Sequence, residues 1–335
     1  MKIVIKHILL LIVLSFYSRI LSAQQTVSEQ YAKFINIEDI NAHISTLTSP
    51  GFEGREAGKR GGRKTEAFIK NTFEKIGLTP IIDSATNKTY FQKVPLLGGS
   101  HSYNVLGWVK GSVFPDEVLI ITAHYDHLGT KGGDYFPGAD DNASGISALL
   151  EISQAFVQAE KDGVLPKRSL LFIALTAEEK GLLGSQYYVE KNPLFPLNQT
   201  VVNLNMDMIG HLDNLHPTDP DFVSIVGSDW QSTDLHEIHE KANKDFVGLA
   251  LDYTFNAINH PEMFFYRSDQ YNFARHGIPV IFYTSGDHKD YHKRSDTIEK
   301  IEFSRIQKVA QLVFYTAWEI ANRENRIVVD KKINN

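Results

Sequence analysis

Val118-Leu119-Ile120-Ile121-Thr122-Ala123-His124-Tyr125-Asp126 is followed by Gly138-Ala139-Asp140-Asp141-Asn142-Ala143-Ser144-Gly145 and then by Phe172-Ile173-Ala174-Leu175-Thr176-Ala177-Glu178-Glu179. The first and third segments are nearly unbroken apolar runs, as expected of strands buried on both faces, and each ends in imidazole or carboxylate groups. The middle segment leads from an Asp-Asp-Asn turn into helical spacing over 143–156. Strand, long helix, strand is a βαβ unit, so the strands at 118–122 and 170–175 are expected to be parallel. Open sheets of this kind place chemistry beyond the carboxyl ends of their strands, which is where these charged groups fall.

Working outward, further strands are expected at 79–82, 90–96, 103–109, 201–206, 222–226 and 278–284. Helices are expected at 28–47, 65–76, 182–188, 235–242, 268–276 and 298–322; in the last, Ile301, Ile306, Val309, Leu312, Val313 and Trp318 suit one packed face. The fold class is α/β, a three-layer sandwich around a central mixed, largely parallel sheet. The glycine-rich stretch 51–58 lacks both the strand-loop-helix context and the Lys-Ser/Thr ending of a phosphate loop.

The chain of 335 residues opens with Lys2 and Lys6, an apolar run over 8–16, and small residues up to Ala23. That is the pattern of a secretory signal peptide, and the run is too short for a helix to span a bilayer. The expected organisation is a signal peptide at 1–23 and, over 24–335, a single domain with a short N-terminal helical extension, exported to the periplasm or secreted. Removal of 1–23 takes away Lys2, Lys6 and Arg19 and no acid, so 34 basic against 40 acidic residues become 31 against 40. Such a surface disfavours nucleic acid and anionic membrane as partners. There is no cysteine, so any metal must be held by His, Asp and Glu. Sequons occur at Asn87, Asn142 and Asn198, and the second lies inside the acidic motif.

Six residues at or near element ends have metal-ligating chemistry: His124, Asp141, Glu178, Glu179, Asp207 and His292. Buried carboxylates at strand ends are costly unless paired or coordinated. Carboxylate oxygens with two imidazoles suit zinc, with cobalt or manganese able to take the same geometry. His127 and His288 are expected to shape the cleft without binding metal, and His211, His260 and His276 to lie at the surface or at helix ends.

The chain resembles the zinc aminopeptidases of family M28, the bacterial leucyl-type enzymes among them. The resemblance rests on His124-x-Asp126, Pro137 to Gly145, Ala177-Glu178-Glu179-x-Gly181-Leu182-x-Gly184-Ser185, Asn205-Met206-Asp207-Met208, Ser268-Asp269, Gly277-Ile278-Pro279 and Asp290-Tyr291-His292-x-x-Ser295-Asp296-Thr297. It implies a fold of the zinc-dependent exopeptidase type and two Zn2+ per chain. It also implies that Asp141 bridges the ions, with His124 and Asp207 on one and Glu179 and His292 on the other. Two ions about 3.5–4 Å apart activate a water and polarise the scissile carbonyl, and Glu178 is then free to act as general base. Asp126 is expected to orient the His124 imidazole from behind, Tyr291 to donate to the developing oxyanion, and the peptide after Asp141 to be cis.

On this resemblance the substrates are peptides with a free N-terminus, the α-amine being received by Asp207 or Glu178. Met208, Phe264, Phe265 and Tyr283 suggest an apolar side-chain pocket. The alternative enzyme is a glutaminyl cyclase, which shares the fold and works with one zinc; the full ligand set favours two ions. A non-catalytic binding module would be expected to lack a ligand or the base, and none of the six positions is missing.

Overall fold

The computed structural model describes residues 27–84, 87–257 and 259–333; the expected signal peptide at 1–23 lies outside them. The strands are β1 (Thr79–Ser84), β2 (Asn87–Thr89), β3 (Phe91–Pro95), β4 (His101–Val109), β5 (Phe114–His124), β6 (Thr130–Lys131), β7 (Asp134–Tyr135), β8 (Arg168–Leu175), β9 (Thr200–Met206), β10 (Phe222–Val226), β11 (Ala250–Asp252) and β12 (Val280–Thr284). All except the β6–β7 ribbon join one sheet in the order β11-β10-β12-β9-β5-β8-β4-β1-β2, with β3 also paired to β4. The middle strands β12, β9, β5 and β8 are mutually parallel. β10 against β12, and β4 against its neighbours, run antiparallel, so the sheet is mixed and largely parallel at its centre.

The helices are α1 (Ile37–Leu47), α2 (Arg60–Ile76), α3 (Gly145–Lys161), α4 (Leu183–Glu190), α5 (Thr233–Ala242), α6 (Gln270–Ala274) and α7 (Phe303–Asn322). The unit β5-α3-β8 has the expected parallel pairing, with His124 opposite Leu175. Side chains alternate across a strand, and β5 shows the result: Leu119, Ile121 and Ala123 enter the core beneath α3 and α7, while Val118 and Ile120 enter a second core on the other face. Burying each such side chain contributes roughly 1.5–3 kcal/mol, which favours the apolar runs of β5 and β8; β9 instead buries Asn203 and Asn205, which donate to the Thr122, Ser268 and Gln270 side chains. Among the described residues no helix is long and apolar enough to cross a membrane.

Three helices start later or earlier than the periodicity suggests. The chain breaks between 28 and 47 because Asn36 leaves the helical region and accepts the Asp39 N–H at 2.8 Å, capping α1. α2 begins at Arg60 rather than 65, since Gly61 lets the helix approach Phe52; a Cβ there would lie 2.0 Å from the Phe52 carbonyl oxygen. α7 begins at Phe303, after a separate turn at Ile298–Lys300.

A candidate metal centre at the strand ends

His124 is the last residue of β5, Glu178 and Glu179 follow β8, and Asp207 follows β9. Asp141 comes from the turn Ala139–Ser144 that leads into α3, and His292 from the loop after β12. Ala177, Met208 and His292 hold left-handed backbone, at φ 56°, 60° and 56°. Each costs on the order of 1–3 kcal/mol for a residue other than glycine, and each sits at or beside an expected ligand or the expected base.

The five expected ligands converge. Nε2 of His124 lies 3.0 Å from Oδ1 of Asp207 and 3.4 Å from Oδ1 of Asp141. Nε2 of His292 lies 3.1 Å from Oδ2 of Asp141 and 3.2 Å from Oε2 of Glu179. Asp141 thus turns one oxygen to each of two groups. Its peptide bond to Asn142 is cis, and the Ser268 hydroxyl donates to Oδ2 of Asp207 at 2.7 Å.

Asp126 stands behind this array in a way the spacing does not convey. Its backbone oxygen lies 3.1 Å from Nδ1 of His124, while its carboxylate is 3.9 Å from that nitrogen and accepts the Glu178 N–H at 3.1 Å. One residue therefore touches both the imidazole and the base candidate. Asn142 is buried with its amide engaged by Met206 O and Gly145 N, which leaves its sequon closed to modification.

Two residues do more here than the sequence reading expects, His127 being expected only to shape the cleft and Arg55 carrying no expectation. His127 is buried with Nδ1 2.9 Å from Oε1 of Glu179 and 3.5 Å from Oδ2 of Asp141. Arg55, from the glycine-rich loop, is fully buried; its guanidinium donates to the carbonyls of Tyr125, Leu47, Pro137 and Gly138 at 2.5–3.0 Å and to that of Asp141 at 3.3 Å. The Asp296 carboxylate completes the cradle, accepting the N–H groups of Asp140 and Asp141 at 2.9 and 3.1 Å.

A third cluster lies beside the first two. His288 Nε2 is 3.2 Å from Asp140 Oδ2, and His211 Nε2 is 3.3 Å from Asp290 Oδ2; His211 is buried here rather than at the surface. The two rings lie face to face, 3.9 Å apart with planes 2° from parallel. The lone pair of an imidazole nitrogen lies in the ring plane, so one ion cannot lie along both. This cluster ties together the loops that carry Asp141, Asp207 and His292.

Electrostatics set the base candidate apart. Burial pushes the Glu178 carboxyl well above its ordinary range, with Asp207 and Asp269 adding to it against His124. Burial raises Asp126 to about 7. Glu179 goes the other way, since hydrogen bonds from His127 and His292 outweigh its burial. Burial disfavours charge on His292, but Asp141 and Glu179 lift it to about 10.

Among the described residues, no lysine or arginine pairs with Asp141, Glu178, Glu179 or Asp207; the ion-pair partners of Asp141, Glu179 and Asp207 are histidines. So many carboxylates in one buried place need cations. Oxygen and imidazole donors divided into two groups around a shared aspartate, His124 and Asp207 on one side and Glu179 with His127 and His292 on the other, fit zinc. A cavity of about 30 Å³ opens beside them, lined by the apolar Met208, Phe264 and Phe282 and by Arg267, Asp287 and Tyr291. Phe265 and Tyr283 lie elsewhere: Phe265 stacks on Trp230, and Tyr283 points to the other face of β12, against His239.

Residues 104–317 match the model of peptidase family M28. The chain belongs to that family. Among curated relatives of this M28 chain, Aminopeptidase YwaD of Bacillus subtilis (strain 168) is 29% identical over 238 residues, which cover 69% of this chain and 47% of YwaD. The chain spans about half the length of that relative. Its fold is similar to that of BSAP, a zinc aminopeptidase from Bacillus subtilis, at a TM-score of 0.67 and 19% identity over 89% of this chain and 98% of that one. It is also similar to Bacteroides thetaiotaomicron glutaminyl cyclase bound to N-acetylhistamine, at a TM-score of 0.65 and 19% identity over 85% and 98%.

Proposed function

We propose that this M28 chain is an exported di-zinc metallo-aminopeptidase that hydrolyses N-terminal residues from peptides, with residues 1–23 as signal peptide and 24–335 as a single peptidase domain. The observation that carries the reading is the division of Asp141, whose Oδ1 faces His124 and whose Oδ2 faces His292. His124, Asp207 and Asp141 would hold one zinc; Asp141, Glu179 and His292 would hold the other. The names of YwaD and BSAP support the aminopeptidase class.

When bound, the two ions supply Lewis acidity toward the scissile carbonyl and toward water. The protein's part falls to the residues around them. Glu178, beside the cavity and with its carboxyl raised by burial, is suited to take a proton at neutral pH and return it to the leaving amine. Asp207 and Glu178 offer the negative charge that receives a free α-amine. Tyr291 lines the same cavity and can donate its hydroxyl to the developing oxyanion. The lining residues Met208, Phe264 and Phe282 suit an apolar N-terminal side chain, with Arg267 and Asp287 as a neutral pair beside Phe264.

Hydrolysis of a chromogenic leucyl amide tests the reading. Activity should vanish with a chelator, return with zinc, track two zinc ions per chain, and fall at least 100-fold in Glu178→Gln while zinc is retained. A chain that holds one tight zinc and cyclises N-terminal glutamine would instead be a glutaminyl cyclase.

A further inference from the structure

The two histidines of the proposed centre are held by different physics. His124 is fixed at its far nitrogen, with Nδ1 3.1 Å from the Asp126 carbonyl oxygen, the usual way a metal-binding imidazole is aimed. His292 has no such bond: among the described residues its Nδ1 has no hydrogen-bond partner, its side chain is 36% exposed, and its backbone is left-handed. What it has is a stack. The Tyr291 ring lies 3.9 Å from the His292 ring at 25°. The guanidinium carbon of Arg267 lies 5.5 Å from the centre of Tyr291 and 4.6 Å from that of Phe264. Asp287 grips this guanidinium with both oxygens, accepting from Nη1 and Nη2 at 3.0 Å each.

We infer that Arg267, clamped by Asp287, is a positioning residue that holds Tyr291 against His292 and so sets the affinity of the second zinc position. The reading rests on the two-zinc assignment above. A planar guanidinium can be gripped by a carboxylate in its own plane while one face meets an aromatic ring and a remaining N–H reaches a hydroxyl. Arg267 thus meets the Phe264 face and bonds the Tyr291 side chain, Asp287 fixes its guanidinium, and Tyr291 stacks on His292, so the contacts run unbroken from Asp287 to the second position. Stacking restrains ring tilt less sharply than a hydrogen bond along the lone-pair axis. The His292 position is therefore the more labile of the two, and its occupancy follows the clamp.

The test is zinc affinity of the purified full chain, by competition with a chelating dye, with metal counted by mass spectrometry. Arg267→Gln and Asp287→Asn should each weaken one of two zinc ions by about tenfold or more and leave the other unchanged, which also reports an intact fold. Arg267→Lys, which keeps the charge but not the planar fork, should fall with them. Tyr291→Phe keeps the ring stack but loses the hydroxyl that Arg267 bonds, and should weaken the second ion less than Tyr291→Ala, which should behave as Arg267→Gln. The proposal is overturned if Arg267→Gln binds both ions like the wild type, if both positions weaken equally, or if Tyr291→Ala keeps the second ion. A wild-type chain that binds one ion overturns the two-zinc reading as well; two ions with unaffected variants overturn the clamp alone.

Discussion

His127 holds Nδ1 2.9 Å from Oε1 of Glu179, and its other ring nitrogen is buried without a partner among the described residues. The tautomer that suits both ends carries its proton on Nδ1 and donates it to Glu179, because a buried lone pair left empty costs less than a buried N–H left empty. His127 is thereby expected to orient the Glu179 carboxylate. His127→Ala should weaken zinc binding about 10- to 100-fold. In a thermal melt the rise in Tm on adding zinc should shrink, while the melting point under chelator moves much less. An unchanged zinc-induced rise would refute the role.

Gly145 makes a second close approach at the centre. Its φ of −65° suits any residue, so its need is for space: a Cβ would lie 2.4 Å from Oδ1 of Asn142 and 2.6 Å from the Met206 carbonyl oxygen. Neither neighbour is the free end of a flexible chain, since the Asn142 amide bonds Met206 and Gly145 itself. Gly145→Ala is expected to cost about 1–3 kcal/mol as overpacking. Urea unfolding under chelator should show a lower midpoint at unchanged slope; an unshifted midpoint counts against it.

Sequence and structure agree most closely where burial leaves little choice. Runs such as 118–122 and 170–175 are apolar on both faces, so the parallel pairing of β5 and β8 and the placing of His124, Glu179 and Asp207 at strand ends were readable from period and motif. The losses share a cause, which is contact between residues distant in sequence. Arg55 reads as a loop cation, and only the folded chain brings five carbonyls around it. His127 lies beyond the strand, where no periodicity tells which way a side chain turns. Phe265 and Tyr283 read as pocket residues by their apolar type, whereas the alternation of β12 sends Phe282 and Thr284 to the cavity and Tyr283 away from it. β11 is only three residues long and gives no pattern to find.

Arg55 supports the next expectation. Its guanidinium satisfies carbonyls on three segments, and burial, with no carboxylate in direct contact among the described residues, lowers it to about 10, leaving it charged at neutral pH. Removing it strands several buried acceptors at once, each worth about 1–3 kcal/mol. Arg55→Leu is expected to lose about 3 kcal/mol or more, and Arg55→Lys most of that, because one ammonium cannot reach the same spread of oxygens. Chemical denaturation of the zinc-free chain measures it, and a loss under about 1 kcal/mol for Arg55→Leu would show that water replaces the guanidinium.

His239 gives the pH dependence. It is fully buried against Tyr283, with Nδ1 3.3 Å from that hydroxyl and Nε2 without a partner among the described residues. Burial, with His236 adding to it, lowers its pKa from 6.5 to about 3. In the unfolded chain it takes up a proton near pH 6.5, and in the folded chain it does not. The group is therefore neutral in both states above pH 6.5 and draws stability away as pH falls from 6.5 toward 3, at up to ~1.4 kcal/mol per pH unit. His239→Leu removes this drain. Urea midpoints of the zinc-free wild type and variant should run parallel from pH 8 to 7 and then converge or cross between pH 6.5 and 5, as the wild type loses stability faster. Curves that stay parallel down to pH 5 would mean that the imidazole is protonated in the fold.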